Sequence, residues 1–159
     1  ISPWVVTADA LAPFLVPGPA QEPQPLPYLT PRDPKPRHLD LSLEVHLTTE
    51  GGSAQRISHG NAKTLYWSVA QQVAHHTVTG CNLRIGDVLA SGTISGTSLD
   101  SYGSMLELTW NGERPLHAGH ATRTFLEDHD TVTLTGWCSG AAGERVGFGD
   151  VTGTVMPTT

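Results

Sequence analysis

Glu107 and Thr93 are the residues of this chain whose type and setting could do chemistry. Both fall in the segment LRIGDVLASGTISGTSLDSYGSMLELTW, residues 83–110. Glu107 stands among Met105, Leu106, Leu108 and Trp110, and a carboxylate in apolar surroundings needs a partner. Read as a strand, residues 104–110 put Leu106, Leu108 and Trp110 on one face and Met105, Glu107 and Thr109 on the other. The spacing leaves two readings open. Glu107 is either an ordinary carboxylate on a solvated face, or a buried one accepting the N–H of a catalytic histidine and stabilising the imidazolium that forms. Thr93 lies in Ser-Gly-Thr-Ile-Ser-Gly, residues 91–96. Two glycines let the backbone approach a ligand closely, and the Thr93 hydroxyl can donate to a carboxylate oxygen. The same hexapeptide also reads as a tight turn with polar filler.

Other titratable groups offer less. His75 and His76 are adjacent at the end of a helical pattern, about 100° apart, and do not suit one metal; a helical ligand pair would stand at i, i+4. They read better as caps for the last carbonyls. The remaining histidines, His38, His46, His59, His117, His120 and His129, are scattered. Asp128 and Asp130 precede a strand and read as a polar turn, since no further oxygen ligands follow at calcium-loop spacing. Cys81 and Cys138 read as free thiols of a reducing compartment rather than a disulfide, and neither has zinc-site spacing. There is no GxSxG, no P-loop and no GxGxxG before a helix.

The elements that must position these residues are mostly strands. Residues 39–47 alternate: Leu39, Leu41, Leu43, Val45 and Leu47 share one face, and Asp40, Ser42, Glu44 and His46 the other. Glu50-Gly51-Gly52 is a turn, and residues 54–58 are its partner strand. Asn61 can cap a helix over residues 61–77, with Leu65, Val69 and Val73 on one face and Gly80 as the stop. Further strands are expected at 4–6, 87–90, 104–110, 122–125, 131–138 and 144–155, and a helical turn near Asp9. Nine of the 24 residues from 13 to 36 are proline, which predicts an extended strap over the core; Pro31 and Pro34 also have the spacing of a PxxP ligand. The fold class is therefore mainly β (α+β), with one main helix.

At 159 residues one domain is the expectation. A net charge of −6 and a pI near 5.7 argue against nucleic acid or an anionic membrane as partner. No run of 18 apolar residues predicts a membrane span. A start at Ile-Ser-Pro-Trp, without Met or a signal peptide, reads as a processed or truncated end.

Specific blocks resemble the fumarylacetoacetase family, in order along the chain: ISPWVVT (1–7), PLPY (25–28), Tyr66-Trp67 with Gln71-Gln72 and His75-His76, GCNL (80–83) with Gly86-Asp87, LASGTISG (89–96), GSMLELTW (103–110), Gly136-Trp137-Cys138 and RVGFG (145–149). The resemblance implies a cytoplasmic homodimeric hydrolase that cleaves a carbon–carbon bond of 4-fumarylacetoacetate, the last step of tyrosine and phenylalanine catabolism. It implies a β-roll, bound Mg²⁺ or Ca²⁺, and a His–Glu pair that activates water. Carried over residue by residue, Glu107 matches the glutamate that orients the catalytic histidine, and Thr93 matches a threonine that contacts the substrate carboxylate. The family's water-activating histidine, metal ligands and polarising cations precede the ISPWVVT block. Residues 1–159 are thus expected to be the C-terminal segment of the catalytic domain, with no metal ligand of their own and dependent on an upstream half. Two alternatives stand beside this: a relative acting on another acylpyruvate or β-diketone, and a non-catalytic structural or dimerisation segment.

Overall fold

A computed structural model of the protein describes residues 1–33 and 35–158. Pro34, one end of the PxxP spacing, lies outside the described residues. The regular elements are α1 (Ala8–Leu11), β1 (Leu15–Val16), β2 (His38–Leu39), β3 (Leu41–Thr48), β4 (Gln55–Asn61), α2 (Val69–Thr77), α3 (Met105–Leu108), β5 (Leu116–Ala118), β6 (Ala121–Arg123), β7 (Thr131–Ser139), β8 (Arg145–Gly147) and β9 (Val151–Thr154). The mainly β, α+β class stands.

The centre is an antiparallel sheet in the order β4-β3-β7, with β8 and β9 both pairing along the outer side of β7. The alternation of residues 41–47 decides its two faces. Leu41, Leu43, Val45 and Leu47 pair with Cys138, Gly136, Leu134 and Val132 on β7. Leu47 and Cys138 are fully buried, and Leu41 and Leu43 fill the space that a side chain at Gly136 would take. Burying a leucine side chain stabilises by about 2 kcal/mol. Burial also pushes the Cys138 thiol pKa up, with nearby Asp40 adding to the effect. The opposite face is polar. Glu44 accepts from Arg56 at 2.8 Å and lies 3.1 Å from His46 Nε2. Burial would raise the Glu44 carboxyl pKa, but His46 and Arg56 together hold it below the ordinary value. His59 stacks on Trp137, and Arg145 lies over the Trp137 ring at 4.6 Å. Both cysteines are free.

Several expectations are corrected. The helix expected over 61–77 begins only at Val69. Asn61 ends β4 and caps a 3-10 turn, Ala62–Thr64, by accepting from the Lys63 N–H. The chain then extends through Leu65 and restarts at Ser68, which with Gln71 forms a reciprocal capping box. Ser68-x-x-Gln71 is the stronger start signal because it satisfies two orphan N–H groups at once. Gly80 ends the helix as expected, at φ +88° with its N–H on the Thr77 carbonyl. His75 does not cap carbonyls; it faces the proline-rich stretch, where Tyr28 Oη lies 3.0 Å from its Nδ1. Residues 4–6 and 87–90 form no strand, and 144–155 is two strands split around Phe148-Gly149. The proline-rich stretch is held to α2 by Gln71, whose buried amide donates to the Gln21 side chain and the Leu29 carbonyl. Among the described residues no helix is long and apolar enough to cross a membrane.

Candidate active site around Glu107

The expected strand over 104–110 is a helical turn, α3, and that changes how Glu107 is presented. Ser104 is its N-cap: the Oγ accepts the Glu107 N–H at 3.3 Å and donates to Glu107 Oε2 at 2.8 Å. Ser104-Met-Leu-Glu107 has the Ser-x-x-Glu form of a helix start, the signal that identifies the turn in the sequence. The turn ends at once. Thr109 bonds back to the Met105 carbonyl, and Trp110, Asn111 and Gly112 all take positive φ. Glu107 therefore does not alternate with Leu106 and Leu108 across a sheet; it is half-buried beneath the loop that precedes it.

That loop, residues 87–104, has little regular structure. Gly86 turns the chain at φ +97°, with Asp87 capping the Arg84 N–H. The returning limb is a 3-10 turn, Leu99–Ser101, joined to the outgoing limb by the Gly96 N–H on the Ser101 carbonyl at 2.9 Å. The loop docks on β4 through Ser58 Oγ, which donates to the Tyr102 carbonyl at 2.6 Å. The limbs press together at Gly103. A Cβ there would stand 2.5 Å from the Ile94 carbonyl oxygen and 2.8 Å from Thr93 Cγ2, so only glycine fits this close approach.

This packing sets Thr93 against Gly103 and Ser95 onto Glu107. Thr93 is exposed, with its methyl group against Gly103. Ser95, two residues on, donates to Glu107 Oε2 at 2.8 Å and accepts the Gly103 N–H at 3.1 Å. Glu107 Oε2 thus takes two hydroxyl donors, from Ser95 and Ser104. Among the described residues no hydrogen bond reaches Oε1, and no histidine contacts Glu107. Ser95 and Ser104 were not singled out from the sequence; the Ser-x-x-Glu spacing marks Ser104, while nothing local marks Ser95.

The other acidic candidates have structural partners. Asp130 is fully buried, its Oδ2 bound by Arg123 Nε at 2.8 Å and its Oδ1 by Arg123 Nη2 at 3.0 Å. Burial would raise its carboxyl pKa, but Arg123 and the Glu127 N–H hold it below the ordinary value. The 127–130 segment is thus the polar turn expected, and more tightly tied than a turn needs. An apolar groove of about 240 Å³ lies between β3, α2 and the Leu89–Ile94 side of the loop, but neither Glu107 nor Thr93 lines it. No group of three His, Cys, Asp or Glu side chains able to hold a metal comes together among the described residues. The residues present do not fit a divalent cation by themselves.

Residues 1–156 match the fumarylacetoacetate (FAA) hydrolase C-terminal family, and the chain belongs to that family. It is 54% identical over 159 residues to fumarylacetoacetase of Rattus norvegicus and 53% identical over 159 residues to that of Arabidopsis thaliana. It is 48% identical over 158 residues to that of Caenorhabditis elegans. Each similarity covers 99% of this chain but 37% of the relative, so the chain spans little more than a third of the length of the curated relatives it matches.

Proposed function

We propose that the protein works as a fumarylacetoacetase. It hydrolyses a carbon–carbon bond of 4-fumarylacetoacetate to fumarate and acetoacetate, in tyrosine and phenylalanine catabolism. The observation that carries this reading is the presentation of Glu107. A half-buried carboxylate with one oxygen tied down by two hydroxyls and the other without a hydrogen bond among the described residues is prepared to receive a single directed N–H. Identities near 50% to fumarylacetoacetases over 99% of the chain support the substrate.

In this mechanism Glu107 Oε1 accepts the N–H of a histidine supplied by the portion of the relatives' length that this chain does not span. That bond selects the tautomer whose other nitrogen can take a proton from water. The hydroxide equivalent attacks the carbonyl next to the scissile bond, Glu107 stabilises the imidazolium, and the acetoacetate carbanion leaves to be protonated. The exposed Thr93 hydroxyl donates to the substrate carboxylate from the rim of the loop. We further propose that the whole enzyme is a cytoplasmic homodimer using Mg²⁺ or Ca²⁺ on ligands outside this chain; the two free cysteines suit a reducing compartment.

The test is fumarylacetoacetate consumption by the full-length enzyme beside its Glu107→Gln variant. Loss of orientation should lower kcat by about a thousandfold. Unchanged turnover in Glu107→Gln would sink the role of Glu107, and faster hydrolysis of fumarylpyruvate than of fumarylacetoacetate would move the substrate to another acylpyruvate.

A further inference from the structure

We infer that Ser95 and Ser104 are positioning residues for the reaction, acting together through Glu107 Oε2; this rests on the reading of Glu107 as the carboxylate that orients the histidine. A serine hydroxyl has one proton to donate and two lone pairs. In both serines a backbone N–H occupies one lone pair: Gly103 N–H at Ser95 and Glu107 N–H at Ser104. The single proton of each is directed at Oε2, at 2.8 Å in both cases. Each N–H to hydroxyl to carboxylate chain is polarised along its length, which strengthens the terminal bond.

The consequence is an asymmetry between two chemically equal oxygens. A carboxylate on a glutamate stem can turn and can offer either oxygen to an imidazole, so the ring would sample several orientations. With Oε2 clamped by hydroxyls from two separate limbs of the loop, only Oε1 remains to receive the N–H, from one direction. Ser95 and Ser104 need not touch the substrate for this; their effect falls on how often the base is aligned for proton transfer, which is carried in kcat rather than KM.

Ser95 is the cleaner probe, because Ser104 also caps α3. In the full-length enzyme Ser95→Ala should lower kcat about tenfold, the range seen when partners of a catalytic group are removed, with KM little changed. Ser95→Thr, which keeps the hydroxyl, should restore most of it. The deciding measurement places Ser95→Ala in the Glu107→Gln background, where it should have no further effect on kcat. An equal loss in both backgrounds means the serine acts through general loop structure and overturns the inference. So does an unchanged kcat in Ser95→Ala while Glu107→Gln is inactive. Full activity in Glu107→Gln alone removes the underlying reading instead. A folded Ser104→Thr enzyme with wild-type kcat beside a slow Ser104→Ala of equal Tm supports the same role at the second hydroxyl.

Discussion

At Gly103 a single hydrogen atom in place of a side chain decides the geometry around Glu107. Adding a methyl group puts it 2.5 Å from a backbone oxygen, which cannot swing aside as a side chain could. Gly103→Ala must push the Ile94 limb away, and Ser95 moves with it, off Glu107 Oε2. We expect a loss of stability of about 2 kcal/mol and a fall in kcat, read by thermal denaturation and steady-state kinetics of the full-length enzyme. An alanine variant as stable and as active as the parent would show that the limbs are less tightly packed. Residue type and the family resemblance pointed to Glu107 and Thr93 as candidates. The secondary structure beneath Glu107 was not, because a short apolar alternation fits a strand and one helical turn equally well. The Ser104 cap tipped the balance.

Among the elements, the tie between β6 and β7 carries the clearest prediction. Asp130 precedes β7 and grips Arg123 of β6 through both carboxylate oxygens, while the Glu127 N–H adds a third bond at 2.9 Å. Asp130→Asn leaves Arg123 with an exposed glutamate, Glu127, at 3.2 Å. Removing one member of a buried pair should cost about 3 kcal/mol at neutral pH. The folded carboxyl pKa lies below the ordinary value of 3.8. Its stabilisation is therefore complete above that value and is lost as the pH falls through the folded pKa. Urea denaturation at pH 7 should separate parent and variant, and the gap should close below about pH 4. A gap that persists into strong acid would mean that packing, not charge, accounts for Asp130. β3 was legible because its alternation is local, whereas the bond from Asp130 to Arg123 crosses between elements and leaves no periodic trace. α2 was misplaced at its start because the apolar spacing continues back to Leu65, while the Ser68 and Gln71 side chains set the true first turn.

For the whole molecule, the apolar face of the sheet is only partly covered. Leu47 and Cys138 are sealed, yet Leu134 is 45% exposed and Leu41, Leu43 and Val45 remain half-buried. The chemistry is open in the same way, since no imidazole meets Glu107 and no cation ligand set forms among the described residues. Residues 1–159 produced alone should therefore show no measurable fumarylacetoacetate hydrolysis, with or without Mg²⁺ or Ca²⁺. Turnover by this segment that vanishes in Glu107→Gln would show that the missing base lies within it after all.

The sequence by itself determined the mainly β character, the two faces of β3, the turn at Gly51, the family, and Glu107 as a candidate carboxylate. These follow from local periodicity, from the conformations glycine permits, and from blocks long enough to be specific. Only the tertiary structure decided which groups meet. Ser95 reaches Glu107 from twelve residues away, Gln71 reaches Leu29 from forty-two, and Arg123 meets Asp130 between strands. Hydrogen-bond partners are chosen by the distance left after packing, and that distance is not written in the spacing of the residues along the chain.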